Sequence, residues 1–119
     1  MRLKEIYLDN GATTKVDPKV VEKMNYFHLE KYGNASSNHS FGQDAKESLE
    51  EARRTIAKSI GARAEEIIFT SGGTESNNLA LKGMAFQHKT IGSGKNHIIT
   101  TKIEHDCVLE SCEWLEKQG

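Results

Sequence analysis

From residue 66 onward the chain alternates between two hydrophobic periods, and this alternation limits its fold more than any other feature. Glu66-Ile67-Ile68-Phe69-Thr70 is short and β-rich and reads as a buried strand. Ser71-Gly72-Gly73 turns the chain. Thr74 to about Gln87 then carries Leu79, Leu81, Met84 and Ala85 at helical spacing. After the loop Gly92-Ser93-Gly94, His97-Ile98-Ile99-Thr100 predicts a second strand. His105 to Lys117 predicts an amphipathic helix with Val108, Leu109, Cys112 and Leu115 facing inward. Strand, helix, strand, helix is the pattern of an α/β layer built on a parallel sheet. Such sheets are covered on both faces. Two or three strands cannot complete one, so the sequence reads as a single, partial domain over residues 1–119.

The upstream half predicts two further helices. Ile6-Tyr7-Leu8 is an apolar run closed by the turn signal Asp9-Asn10-Gly11. Asp17 and Pro18 have the chemistry of an N-cap and a first helical position. Val20, Val21, Met24 and Phe27 then recur at helical spacing to about Lys31. Gly33 to Ser40 is loop by composition. Residues 41–60 form a longer helix with Ala45, Leu49, Ala52, Ile56 and Ile60 on one face, and Gly61 as the stop.

Composition narrows the function classes. A 36% hydrophobic and 28% charged chain of 119 residues suits a soluble globular protein. A net charge of -1 gives no basic field for nucleic acid or an anionic membrane. No apolar run is long enough to span a bilayer, and Met1-Arg2-Leu3-Lys4-Glu5-Ile6 lacks the pattern of a secretory leader. The expected compartment is the cytoplasm. There, two cysteines make no disulfide framework, and the triplets Asn34-Ala35-Ser36 and Asn38-His39-Ser40 are chance matches to a glycosylation signal. The run Glu47, Glu50, Glu51, Arg53, Arg54 reads as a solvated helix face.

The chemistry concentrates in Phe69-Thr70-Ser71-Gly72-Gly73-Thr74-Glu75-Ser76-Asn77-Asn78. A strand ends, glycines turn the backbone and a helix begins. The free N–H groups and positive dipole end of that helix, together with the Thr74 hydroxyl, make a phosphate cradle. The plainer reading is a tight turn with Ser71 or Thr74 as the helix cap. The dinucleotide and P-loop glycine patterns are absent: Gly72-Gly73 does not fit the first, and Gly94-Lys95 is followed by Asn96. On the last helix Cys107 is turned about 200° from His105 and Cys112, so these residues do not converge on a metal. Cys112 is expected in the core and Cys107 exposed or half-buried. His28, His88 and His97 are expected to be solvated or at a strand start.

Tyr7-Leu8-Asp9-Asn10-Gly11-Ala12-Thr13-Thr14, the loop from Gly33 to Gly42, the segment from Phe69 to Leu79, and Thr101-Lys102-Ile103-Glu104-His105-Asp106-Cys107-Val108-Leu109 occur in that order. As a set they resemble the N-terminal motifs of NifS/IscS-type cysteine desulfurases, which depend on pyridoxal 5'-phosphate (PLP) and belong with the class V aminotransferases. The resemblance implies the N-terminal part of the large domain of PLP-dependent transferase fold type I (aspartate aminotransferase-like). It assigns Gly73 and Thr74 to the cofactor phosphate and His105 to stacking on the pyridine ring; without it, His105 reads as a capping or surface histidine. His39 lies in a family motif, but no catalytic step is assigned to its loop. Gly11 stands where Ala or Ser is usual, Ala35 replaces the usual Pro, and Gly73 stands where Ala is also common.

The family's Asp-x-x-Gln and Ser-x-His-Lys segments, which hold the pyridine nitrogen and supply the cofactor-anchoring lysine, do not occur in these residues. His88-Lys89 lacks the serine context. The resemblance therefore implies a fragment with no catalytic residue of its own. In the complete enzyme it implies L-cysteine as substrate, a homodimer and a sulfur-acceptor scaffold protein as partner. The alternatives are another class V aminotransferase or selenocysteine lyase and, from a different class, a non-catalytic partner- or phosphate-binding fragment.

Overall fold

The computed structural model describes residues 5–119. Met1 to Lys4, part of the stretch read for a leader, lie outside the described residues. The chain divides into two compact units, 1–67 and 68–119.

The first unit carries two helices and a short turn. In the entering segment, the amides of Ala12 and Thr13 close on the Asp9 carbonyl at 3.2 and 3.3 Å, as Asp9-Asn10-Gly11 predicts. Helix α1 spans Pro18–Leu29. The Asp17 carboxylate accepts from the Lys19 amide at 2.8 Å and caps it, and Pro18 occupies a position whose N–H has no intrahelical partner. Helix α2 spans Ser40–Ser59 and stops where Gly61 turns to φ 69°, which costs glycine no Cβ clash. A 3₁₀ turn at Ala64–Glu66 packs against α2. Arg53 ties these pieces together, pairing with Glu50 at 3.1 Å and donating to the Ile67 carbonyl.

The expected apolar faces are only partly covered. Ala57 is the buried hydrophobic residue of α2, whereas Leu49, Ile56 and Ile60 are exposed. On α1, Phe27 is half-buried while Val20, Val21 and Met24 are exposed.

The second unit is a helix pair. Helix α3 spans Gly73–Thr90 and helix α4 spans Asp106–Lys117, and the two pack on each other. Phe86 meets Trp114 edge-on with ring centroids 5.9 Å apart, and the Lys82 ammonium lies 4.7 Å from the Trp114 ring centre. Lys89, from the rejected His-Lys pair, donates to the Gln118 carbonyl at 2.8 Å and so finishes the end of α4. Leu81, Ala85, Leu109, Cys112 and Leu115 line one broad groove with Ile98 and Thr100. Leu109, Cys112 and Leu115 of the residues read as inward thus share one side of the pair, whereas Val108 and Leu79 do not line it, and residues of the 97–100 segment lie along that side.

The predicted strands at 66–70 and 97–100 form no ladder among the described residues. Residues 64–66 instead close a 3₁₀ turn, with the Arg63 amide on the Glu66 carboxylate at 2.7 Å. Residues 67–72 lack helical structure, with Ile67 itself in the β region. The physical reason is that a strand is completed by neighbouring strands, whereas a helix closes its own hydrogen bonds. The apolar segments consequently remain open, with Ile99 90% and Ile103 93% exposed.

Candidate functional site

The starts of the helices differ in who satisfies their orphan amides. Asp17 caps α1, His39 caps α2 through the Gly42 amide at 3.4 Å, and His105 caps α4. At α3 the N-cap is Gly72, which has no side chain to offer. Neither Ser71 nor Thr74 caps this helix, which corrects the plainer sequence reading. Ser71 turns the other way: its amide and hydroxyl both donate to Glu75 Oε2, at 2.7 and 2.6 Å. The Ser71 hydroxyl first, and its amide second, hold the Glu75 carboxyl below its ordinary value.

Thr70 and Ser76 close the turn on its other side. Their hydroxyls lie 2.6 Å apart, and both reach the Gly72 carbonyl at 3.2 Å. The Ser76 amide also returns to the Gly72 carbonyl at 3.1 Å. The helix therefore starts at Gly73, one residue before the sequence prediction, with its first amides left to a ligand or solvent. A Cβ built on Gly72 or Gly73 meets nothing within 4 Å, so the space beside this backbone is open.

Thr74 and His105 line the same cleft, of about 420 Å³, with Asn78, Lys82, Cys107, Ser111 and Trp114 among its other walls. Gly73 heads α3 beside Thr74 and is not among the lining residues. His105 is both a cap and a cleft residue. Its Nδ1 accepts from the Cys107 amide at 3.2 Å and lies 3.2 Å from Cys107 Sγ. Asn77 Nδ2 donates to that sulfur at 3.1 Å. Nδ1 as acceptor leaves the ring proton of the neutral imidazole on Nε2.

Helical rotation alone separated Cys107 from His105, and that expectation fails because His105 is not in the helix. As the N-cap it has extended backbone (φ -63°, ψ 146°), so its ring folds back over the first turn. Cys107 is half-buried, as expected, but Cys112 is half-buried too, on the groove side rather than in a closed core. Among the described residues no group of His, Cys, Asp and Glu is arranged to hold a metal.

Sequence reasoning missed the links from α3 to α4. Ser111, only 3% exposed, reaches Asn78 at 3.1 Å. A serine within an apolar helix pattern is the signal that a buried partner exists; nothing local says which residue, 33 positions away, provides it.

In the first unit, the Gly33–Gly42 motif forms a closed loop. Asn34 Oδ1 accepts from the Ser36 amide and the Asn34 carbonyl from the Ser37 amide, both at 2.9 Å. A Cβ on Gly33 would overlap the Phe41 backbone, and one on Gly42 would overlap the Ser37 and Asn34 backbone. Close backbone approach, rather than a proline at position 35, holds this loop.

Known proteins resemble this chain in sequence and fold. Residues 6–119 match the family model for aminotransferase class-V. Cysteine desulfurase IscS of Dictyoglomus turgidum is 56% identical over 116 residues, which is 98% of this chain and 29% of that protein. Cysteine desulfurase IscS of Rickettsia bellii is 56% identical over 115 residues, 96% of this chain and 27% of that protein. Among solved structures, a NifS-like protein superposes with a TM-score of 0.83 at 45% identity, covering 92% of this chain and 29% of its own. DndA from Streptomyces lividans superposes with a TM-score of 0.77 at 45% identity, covering 96% and 31%. The chain thus spans less than a third of the length of these proteins. These neighbours share the fold class read from the sequence, part of the α/β large domain of the PLP-dependent transferases. With nearly its full length matched, the chain belongs to the class V aminotransferase family, and the relatives it resembles are cysteine desulfurases.

Proposed function

We propose that the cleft where α3 and α4 begin is the phosphate-and-ring end of a PLP site, and that the protein serves cysteine desulfuration. In that reaction the sulfur of L-cysteine passes to an enzyme cysteine as a persulfide and L-alanine is released. Residues 1–119 are then the opening part of the PLP-binding large domain, in a protein that works as a cytoplasmic homodimer and hands sulfur to an acceptor scaffold. No helix among the described residues is long and apolar enough to cross a membrane. One observation carries the reading: Thr74, in the first turn of the uncapped helix α3, and His105 line one cleft.

The residues present fit the group. The amides of Gly73 and Thr74 and the Thr74 hydroxyl would take the phosphate oxygens, aided by the positive end of the α3 dipole. Gly72 and Gly73 leave that backbone reachable. His105 would cover one face of the ring, its tilt fixed by the Cys107 amide on Nδ1. Glu75 is held on Ser71, so its carboxylate does not occupy the first-turn amides itself. When bound, PLP supplies an electron sink for bonds around the α-carbon of an amino acid. The chain's residues bind and orient that group. The lysine-bearing segment of the family does not occur in them, so no alanine release from cysteine is expected of these 119 residues alone; detecting it would overturn the division of roles.

Trp114, the chain's single tryptophan, lines the cleft. Titration with PLP should quench its fluorescence saturably, and Thr74→Val should weaken binding roughly tenfold by removing a charge-assisted hydrogen bond. Quenching that is linear in PLP and indifferent to Thr74 would remove the reading. A site made for phosphate alone would bind inorganic phosphate as well as PLP.

A further inference from the structure

Resting on that cofactor reading, we infer that Ser111 and Asn78 are positioning residues, which hold the phosphate-binding and ring-stacking helix starts at a fixed separation. The two ends of the cofactor site lie on different helices, Thr74 in the first turn of α3 and His105 at the cap of α4. Packing of small and half-buried side chains sets a distance between helices loosely. A buried hydrogen bond sets it tightly, because a small slip leaves a polar atom without a partner.

A partly buried bond of this kind joins the two helices near their starts. Asn78 Nδ2 donates to the Thr74 carbonyl at 2.9 Å, which fixes the amide orientation and points Oδ1 at α4. Ser111 Oγ meets that Oδ1 at 3.1 Å and the Cys107 carbonyl at 2.6 Å. A hydroxyl has one proton, so it is shared between the two acceptors. An unbroken path therefore runs from the Thr74 carbonyl through Asn78 and Ser111 to the Cys107 carbonyl, two residues past His105. At its α4 end Ser111 is buried, at 3% exposure. Asn77 to Cys107 Sγ, at 3.1 Å, is a second tie beside it. Asn78 and Ser111 also stand among the walls of the cleft, but the positioning effect passes through Thr74 and His105.

The consequence is selective. Inorganic phosphate needs only the α3 amides, whereas PLP needs the amides and the His105 ring at the correct spacing. The test measures the affinity of the chain for PLP and for inorganic phosphate in the wild type, Ser111→Ala, Ser111→Thr and Asn78→Ala, with helical circular dichroism confirming that each variant is folded. The wild type should prefer PLP. Ser111→Ala should lose roughly tenfold of that preference while phosphate affinity stays within about twofold. Ser111→Thr, which keeps the hydroxyl, should restore the preference, and Asn78→Ala should reproduce the loss from the α3 side.

A folded Ser111→Ala or Asn78→Ala variant with the wild-type preference overturns the positioning role and leaves the cofactor reading intact. Equal loss of PLP and phosphate binding also overturns it, by showing general loosening. A wild type that binds phosphate but shows no preference for PLP overturns the cofactor reading, and the positioning role with it; so does one that binds neither.

Discussion

Two of the helices begin beside glycines, and the glycines do opposite work. At the start of α2, Gly33 and Gly42 are pressed against the backbone of Phe41, Ser37 and Asn34, with His39 capping the helix. At the start of α3, Gly72 and Gly73 border empty space and no side chain caps the helix. The first entry is packed against its own backbone and carries a side-chain cap. The second leaves donors and room unspent. A glycine-rich loop is thus a structural closure or a binding edge according to what fills the place of the missing side chain, and composition alone does not separate the two.

Substitutions should separate them sharply. Gly42→Ala forces a methyl into the Ser37 and Asn34 backbone, and should lower the stability of the first unit by about 3 kcal/mol in urea unfolding. Gly73→Ala adds its methyl to open space and replaces a poor helix former. It should raise stability by no more than about 0.5 kcal/mol. Comparable losses at both positions would erase the contrast.

His39→Ala should cost about 1 kcal/mol as a lost cap. If the cost were negligible, the closure of the α2 entry would rest on the glycine contacts alone.

The smallest effect concerns Glu75. Its carboxyl is held below the ordinary glutamate range by the Ser71 donors and is therefore favoured as the anion in the folded chain. The stability it contributes is present above the unfolded value and is lost as pH falls through the lowered one. Carbon-detected NMR titration should place the Glu75 midpoint below the ordinary glutamate range, and Ser71→Ala should raise it. An unmoved midpoint would show that the hydroxyl does not hold the carboxylate.

Much of this was legible in the sequence because helices are local objects. Asp17-Pro18 marks the start of α1, Gly61 the end of α2, and His105 the cap of α4, each through chemistry within a few residues. The turn at Gly72-Gly73 was legible for the same reason. The ladders predicted for 66–70 and 97–100 were not found, because a strand is defined by partners elsewhere. The apolar faces of α1 and α2 were legible as patterns but not as burial, since Leu49 and Met24 need something to be buried against. In the candidate site, Thr74 and His105 were named from motifs. The Asn78–Ser111 link depended on the packing of α3 against α4, which no local pattern encodes, and the Cys107 contact with His105 followed from the extended backbone of the His105 cap.

Every backbone-to-backbone bond outside the regular helices and among the described residues closes within five positions, the longest reaching from Lys31 to Tyr26, Ala62 to Ala57 and Ser93 to His88. No long loop must find its far end before this hydrogen bonding begins to form, so the entropic delay that slows sheet-rich chains is absent. Each unit should therefore acquire its helices in microseconds to milliseconds, and the docking of α4 on α3 is the step left to set the pace of the second.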